Sequence, residues 1–472
     1  MIRRTKIVAT LGPVSSSPEA LRALLRAGVD VFRLNFSHDT AAEHRARIAR
    51  LREASAELGR EAAILQDLCG PKIRTGAMAD GVVPLVAGRE VRITTREELG
   101  TAERFSTIYP RLPSEVAAGN RILLDDGRME LEVLSSSADE VRCRVARGGM
   151  LAGHKGMNLP GAALSAPALT EKDRLDLAVG LEEGVDFVAL SFVRRPDDLR
   201  EARGLIDASG RDARLVAKIE KPEAVARIDA VLEAADGVMV ARGDLGVEMD
   251  LARVALLQKE IIRKANRLDR YVITATQMLE SMIREPAPTR AEVSDISNAI
   301  LDGTDAVMLS GETAVGAFPV ETVQMMDRVA RATEAYLALH RPPWDWGRLN
   351  PVKPVEDAIG HAAFHFCRDL DIRAIVTYSE SGETGLFLSK SRPPAPILAL
   401  TANGAALRRM RLFWGVEPVL EEKPRDLDAL RARALELAKE RGLARSGETV
   451  LLVAGKCYGQ PGAVNSIEVL RA

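Results

Sequence analysis

The run LVAKIE at residues 215–220, the stretch EAVARIDAVLEA at 223–234 and the run GVMVARGDL at 237–245 form one β-α-β reading from which the fold follows. The outer runs are short, apolar and rich in branched residues, whereas the middle stretch repeats its apolar residues at helix spacing. Side chains alternate faces along a strand, so Lys218 and Glu220 share one face of the first run, and Arg242 and Asp244 one face of the second. Charges at the ends of apolar strands are costly unless paired or bound to metal. A lysine beside two carboxylates points to a metal-bound anion as ligand.

Outward from this unit the pattern recurs. Apolar, β-rich runs fall at residues 5–11, 29–37, 62–68, 187–193, 271–277 and 306–312, and helical patterns at 18–26, 197–207, 254–267 and 290–301 separate most of them. With the opening pair of runs this makes eight β-then-α units, which predicts an α/β fold of the (β/α)8 TIM-barrel type. About a hundred residues interrupt the third and fourth units, with short alternating runs at 90–95, 121–124, 129–135 and 141–145 among Gly and Asp turns. They predict an inserted small β-barrel domain able to close over the barrel mouth. His340-Arg-Pro-Pro-Trp344 with Pro351 and Pro354 marks a linker, and beyond it helices at 355–370 and 427–441 and strands at 374–378, 397–400 and 449–454 predict a separate C-terminal α/β domain. The expected division is residues 1–69 and 168–340 for the barrel, 70–167 for the insert and 351–472 for the C-terminal domain.

Composition narrows the function. The chain has 472 residues, 46% hydrophobic and 28% charged, with a formal net charge of -2, so it offers no basic stripe for nucleic acid and no polybasic membrane patch. The opening MIRRTKIVATLG is too short in its apolar part for a signal sequence and reads as a first strand, and no stretch approaches a membrane span. Cys69, Cys143, Cys367 and Cys457 form no CxxC pair, so neither a zinc site nor a disulfide framework is indicated, and a cytoplasmic setting is expected.

Polar residues gather at the carboxyl ends of the runs: Arg33, Asn35 and Ser37 on the second, Asp67 on the third, Ser191 on the fourth, Thr274 and Thr276 on the seventh, Ser310 and Glu312 on the eighth. Barrel enzymes build their active sites there. Glu220 and Asp244 supply hard oxygen donors suited to Mg2+ or Mn2+. Lys218 could neutralise charge on a phosphoryl group or an enolate, or simply form a structural ion pair with Glu220. The glycine in Ala241-Arg242-Gly243-Asp244 allows backbone amides to approach a small carboxylate, and Arg33 and Arg74 are candidate phosphate clamps.

Taken together these residues resemble the pyruvate kinase family. The resemblance rests on Arg33-Leu-Asn35-Phe-Ser37-His38, DLCGPKIRTG at 67–76, Lys218-Ile-Glu220, MVARGDLG at 239–246, TQMLESM at 276–282, PTRAE at 288–292 and MLSGETA at 308–314, in the family order. It implies transfer of the phosphoryl group of phosphoenolpyruvate to ADP, giving ATP and pyruvate. Glu220 and Asp244 would then be the divalent metal ligands, and Lys218 would stabilise the phosphoryl in flight. Ala241, Arg242, Gly243, Asp244 and Thr276 would hold substrate, Ser310 and Glu312 would serve a proton relay, and Asn35, His38, Arg33 and Arg74 would form the nucleotide side.

One departure matters. The family's monovalent-cation region maps to Asn35, Ser37, Asp67 and the backbone of Leu68, but Lys72 stands where many members carry a glutamate, as in the family's potassium-independent branch. A fixed ammonium there supplies the charge that K+ otherwise brings, so K+ is not expected to be required. The C-terminal loop Ser379, Ser381, Gly382 and Thr384 resembles the family's effector phosphate loop, implying a sugar-phosphate or AMP effector, although Glu383 argues against a sugar bisphosphate and the loop at 455–465 departs from the common pattern. The family implies a homotetramer. Two other readings compete: a metal-dependent pyruvate aldolase or lyase on a related barrel, and a metabolite-sensing scaffold without catalysis.

Overall fold

The computed structural model describes residues 2–162, 164–340, 353–455 and 464–472. Eight parallel strands, Lys6–Thr10, Val31–Asn35, Ala63–Asp67, Phe187–Leu190, Arg214–Ile219, Gly237–Ala241, Tyr271–Ala275 and Ala306–Leu309, close into a barrel. Most strand residues are buried, because helices cover the outer face and side chains fill the interior. The outer layer packs Leu21, Leu24 and Leu25 of the helix Pro18–Ala27 on strand residues such as Ile7 and Phe32. The interior core runs from Val8, Leu65 and Met239 down to Tyr271, whose ring stacks 6.0 Å from that of Phe413 in the C-terminal domain.

The amino ends of the strands carry a fourfold repeat. Asp30, Asp186, Asp236 and Asp305 each directly precede an even-numbered strand, and each accepts the amide of the second residue of the strand before it: Ile7 at 2.9 Å, Ile64 at 2.8 Å, Leu215 at 2.7 Å and Val272 at 2.7 Å. Every one is also paired with arginine or lysine, so none is a bare buried charge. Arg408, Lys390 and Arg392 of the C-terminal domain supply partners for Asp186 and Asp305, which docks that domain on this end.

The insert forms a six-stranded sheet in the order Met157–Asn158, Arg121–Leu124, Met129–Ser136, Glu140–Arg147, Glu90–Thr94, Arg104–Ser106, with Val82–Leu85 and Gly149–Ala152 as a separate pair, around its own apolar core. The C-terminal domain is a five-stranded sheet in the order Val416–Leu420, Ile397–Thr401, Ala374–Tyr378, Thr449–Gly455, Val464–Arg471, antiparallel only at the last strand. Helices Pro354–Asp369, Glu383–Lys390, Gly404–Met410 and Leu427–Glu440 accompany it. Most of the linker and of the departing C-terminal loop lie outside the described residues, as does Cys457.

Several expected strands end early, and in each case the loops at the carboxyl end of the barrel begin there. The sixth stops at Ala241 and residues Arg242–Glu248 form a helix; the eighth stops at Leu309 and Gly311–Ala314 form one helical turn. Arg242 and Asp244 are therefore helical, not strand neighbours, and the same holds for Glu312. A short buried helix carries the same apolar density as a strand, so periodicity over so few residues does not separate them. The fourth run ends at Leu190 and the seventh at Ala275, because Phe192, Thr276 and Gln277 take left-handed backbone angles (φ 56°, 71° and 54°). The expected helix at 223–234 is two, Pro222–Ala226 and Ile228–Ala234, broken at Arg227.

Candidate active site

Lys218 is the centre of the polar cluster. Its Nζ lies 2.8 Å from Glu220 Oε1, 3.2 Å from Asp67 Oδ1 and 2.7 Å from Ser191 Oγ, so three adjacent strands or their ends converge on one ammonium. Burial alone would push this lysine toward the neutral form, but Asp67, Glu220 and Asp244 outweigh it and hold its pKa above the ordinary value. Asp67 is buried as well. Burial pushes its carboxyl up, yet Lys218 and Arg33 together hold it below the usual carboxylate range. Arg33 Nε donates to Asp67 Oδ2 at 2.7 Å and its guanidinium to Thr10 Oγ1 at 3.0 Å, which fixes it against the strand ends. Ser191 Oγ also donates to the Leu68 carbonyl at 2.7 Å.

Glu220 and Asp244 suit a divalent ion. Glu220 is 2% exposed, and its carboxyl is pushed up by burial and by the charge of Asp244, against the pull of Lys218. A buried carboxylate whose charged form is penalised by a neighbouring carboxylate is what a cation relieves. The amide of Phe192 donates to Glu220 Oε2 at 2.8 Å and orients it, while Asp244 is exposed on the first turn of its helix. Among the described residues no group of three or more His, Cys, Asp or Glu is placed to hold a metal, so a divalent ion at Glu220 and Asp244 would rely on ligand and water for its remaining positions.

The loop after the seventh strand is braced from two sides. Arg242 donates to the carbonyls of Ala275 at 3.2 Å and Thr276 at 2.7 Å and pairs with Asp295 at 2.7 Å, so its guanidinium holds the loop. The amide of Gly243 donates to Thr276 Oγ1 at 2.7 Å, and that hydroxyl donates to the Ala275 carbonyl at 2.6 Å. A β-branched residue with positive φ persists only where its surroundings over-determine it. Glu312 accepts the amides of Ser310 at 2.6 Å and Leu279 at 3.1 Å, tying the last two strand-end loops together.

A cavity of about 260 Å3 opens beside Asp244 between barrel and insert. Lys72 and Arg74 line it on the segment that leads from barrel to insert, and the insert contributes Asp125, Asp126, Lys155 and Asn158, none of which the sequence reading singled out. In sequence Asp125-Asp126-Gly127 signals no more than a turn; in the structure all three take left-handed angles, and Lys155 pairs with Asp125 at 2.8 Å. Lys72 is exposed, has no ion-pair partner among the described residues, and its charge reaches His38, whose pKa is lowered by burial first and by Lys72 next. Asn35 Oδ1 accepts the amide of Ser37 at 3.2 Å, and Arg74 donates to the His154 carbonyl at 2.9 Å. At the opposite end of the molecule, Ser379 Oγ accepts the amides of Gly382 at 3.0 Å and Thr384 at 3.4 Å, and Ser381 Oγ that of Glu383 at 3.4 Å.

A closed barrel with a lysine fixed among carboxylates at the carboxyl ends of its strands, and a basic cavity under an inserted β domain, defines a barrel enzyme that handles small anions. The family model for "Pyruvate kinase, barrel domain" matches residues 2–323, and that for "Pyruvate kinase, alpha/beta domain" matches residues 357–470. The chain is 47% identical over 472 residues to a pyruvate kinase of Geobacillus stearothermophilus, covering 99% of this chain and 80% of the relative. It is 46% identical over 478 residues to pyruvate kinase 2 of a Synechocystis species, covering 99% and 79%. The crystal structure of a pyruvate kinase from Cryptosporidium parvum superposes with a TM-score of 0.90 at 35% identity, covering 99% of this chain and 96% of that one. The chain belongs to the pyruvate kinase family, and with that it is a phosphotransferase. The aldolase reading is not favoured.

Proposed function

We propose that this chain transfers the phosphoryl group of phosphoenolpyruvate to ADP in the cytoplasm, giving ATP and pyruvate, with Mg2+, or Mn2+ in its place, at Glu220 and Asp244 and without a requirement for K+. The observation that carries the reading is Lys218, an ammonium kept charged by Asp67 and Glu220 at the mouth of the barrel. A permanent positive charge is what a migrating phosphoryl group and a developing enolate both need, and it does no work as a proton donor if its pKa is raised. The divalent ion, when bound, would draw charge from the enolate and phosphoryl oxygens as a Lewis acid.

The chain's own residues do the rest. Arg33, held on Asp67, and Arg74, which lines the cavity, would meet the phosphates, and Asn35 and His38 complete the proposed nucleotide side. Backbone amides at Ala241, Gly243 and Asp244 would take the substrate carboxylate. Because the Gly243 amide is bonded to Thr276 Oγ1 in the free chain, that hydroxyl must yield it as the carboxylate enters, which couples substrate binding to the strained loop. Glu312, both of whose oxygens hold backbone amides, sets the geometry of Ser310 in the proposed relay. The insert, closing on the cavity, would exclude water and protect the reaction from hydrolysis.

Lys72 supports K+ independence: it is a free ammonium lining the cavity, and its charge acts on His38. The proposal extends to a homotetramer and to regulation by a phosphorylated metabolite at the loop Ser379, Ser381, Gly382 and Thr384. Initial rates of ATP formation from phosphoenolpyruvate and ADP, with Mg2+, K+, sugar phosphates and AMP added singly, test the activity, the ion requirement and the regulation, and sedimentation of the full chain tests the tetramer. No ATP with Mg2+ present removes the activity; K+ activation of about a hundredfold, equal to about 2.7 kcal/mol of barrier, removes K+ independence alone.

A further inference from the structure

At the end of the barrel opposite Lys218 a cavity of about 390 Å3 lies between the amino ends of the fifth, sixth and seventh strands and the C-terminal domain. Four basic side chains, Arg214, Arg270, Lys353 and Arg409, wall it against three acidic ones. Two lining residues carry buried polar atoms that make no hydrogen bond with any described residue: the Tyr271 hydroxyl and Arg409 Nε. Tyr271 is 1% exposed and Arg409 2%, so solvent at the surface does not satisfy them. Buried polar atoms normally find partners, and two unmet ones bordering one cavity indicate a space that takes a polar guest.

The charges say which guest. Glu383 Oε1 lies 3.3 Å from Arg214 and Oε2 2.9 Å from Lys353, so one of the chain's own carboxylates, half-exposed on the first turn of its helix, already sits on this cationic wall. An anion is stable at that place, and the one present is free to swing toward solvent. Arg270 donates to the carbonyls of Leu232 at 2.9 Å and Glu233 at 3.3 Å and has no ion-pair partner among the described residues, which leaves its charge to the cavity. Burial pushes the Tyr271 phenol well above its ordinary value, so it remains a neutral O–H that can donate and accept.

We propose that this cavity is a second binding site, for a small organic anion carrying one carboxylate or phosphate and a hydroxyl group. The anion replaces Glu383 on Arg214 and Lys353, and its hydroxyl meets Tyr271. The site shares Ser381 and Glu383 with the phosphate loop described above, but none of its four basic residues, nor its tyrosine, belongs to that loop. Its consequence lies in the strands. Arg214 and Tyr271 start, and Asp236 directly precedes, the three strands whose other ends lead to Lys218, Asp244 and Thr276, so an occupant bears on the elements that carry the proposed chemistry.

Calorimetric titration of the full chain with sodium glycolate and, separately, with glycerol 3-phosphate tests the site in the wild type, Tyr271→Phe and Glu383→Gln. Tyr271→Phe keeps the ring and should weaken binding by roughly fivefold to tenfold, the effect of one buried hydrogen bond, and Glu383→Gln should tighten it by a similar factor. Because the proposed active site also takes small carboxylates and phosphates, only a binding event whose affinity changes in the variants counts: such a response to glycolate alone assigns a carboxylate ligand, and to glycerol 3-phosphate alone a phosphate ligand. The site is refuted if neither probe binds the wild type up to about 20 mM, or if the affinities are the same in all three proteins, since binding is then elsewhere. Should Tyr271→Phe fail to fold, Arg270→Gln, a lining residue outside the phosphate loop, takes its place: binding should weaken, and an affinity equal to that of the wild type refutes the site.

Discussion

Asn158 Nδ2 donates to Glu248 Oε1 at 2.8 Å, and this bond joins the insert to the short helix that carries Asp244. The same oxygen takes Lys221 Nζ at 2.6 Å; Lys221 lies 5.2 Å over the ring of Phe192, and the Phe192 amide holds Glu220. A continuous set of contacts thus runs from the insert to both proposed metal carboxylates. Asn158→Ala removes the link but leaves Glu248 its lysine, so the fold should stand. The expected result is a kcat lower by about tenfold, the loss of one hydrogen bond to a charged acceptor, with a weakened Mn2+ affinity measured by titration. Unchanged kcat and unchanged Mn2+ affinity would show that the insert does not bear on the metal site.

Lys218→Met keeps the stem of the side chain and removes the charge. If the ammonium acts on the transition state more than on the ground state, kcat should fall by about 10^3 or more while the apparent affinity for phosphoenolpyruvate changes little. Steady-state kinetics with folded protein, checked by circular dichroism, separates the two. A variant that loses substrate affinity and keeps kcat assigns Lys218 to binding only.

Asp67 makes the same cluster visible in acid. Its carboxyl would be pushed up by burial, but Lys218 and Arg33 hold it below the ordinary value. A group with a depressed folded pKa contributes stability above its unfolded pKa of about 4, and that contribution is lost as pH falls through the lower folded value. Asp67→Asn should therefore be less stable than the wild type at pH 7, and the gap should narrow below about pH 4. Urea unfolding at both pH values measures it; a gap that stays constant refutes the pairing.

How much of this was legible in the sequence depends on the length of the pattern. The barrel strands show because a buried parallel strand is a continuous apolar run bounded by turns, and Lys218 with Glu220 shows because two residues apart means one face. The helix Arg242–Glu248 does not show, since Leu245 and Val247 continue the alternation of the strand before it. Asp125, Asp126, Lys155 and Asn158 reach the cavity only through pairing of strands far apart in the chain, which no local pattern encodes. The aspartates at 30, 186, 236 and 305 were in plain view, each just before an apolar run, yet their fourfold role is a matter of spatial repetition around a closed sheet.

Lys72 can be tested without an assay of turnover. Its charge lowers the pKa of His38, acting after burial and alongside Arg74 and Arg33. Lys72→Glu replaces repulsion of the imidazolium by attraction, so the His38 titration followed by NMR should move to higher pH. The same variant should lose activity and recover part of it on addition of K+. A His38 titration that does not move would mean that the ammonium points away from the cavity.

The docking of the C-terminal domain rests on Asp305. Its Oδ2 takes the Val272 amide at 2.7 Å and Lys390 at 2.5 Å, and its Oδ1 lies 2.9 Å from Arg392, with all three side chains buried. Burial pushes Lys390 down to about 8, with Asp305 pulling the other way. A lysine whose folded pKa lies below its unfolded value costs stability at all pH values below the folded pKa, and the cost fades as pH rises toward the unfolded value of about 10.4. Asp305→Asn leaves two buried cations without their shared anion, which should destabilise the chain by about 3 to 5 kcal/mol at pH 7. It should also drive Lys390 to shed its proton at lower pH, so the variant regains stability on raising pH from about 6 to 8, a window that lies below the wild type's folded value and in which the wild type gains little. Lys390→Met added to Asp305→Asn removes one of the two stranded charges and should restore part of the loss. Thermal unfolding of the three proteins across that range decides it: a single variant as stable as the wild type at every pH would mean that the aspartate is not what holds the two domains together.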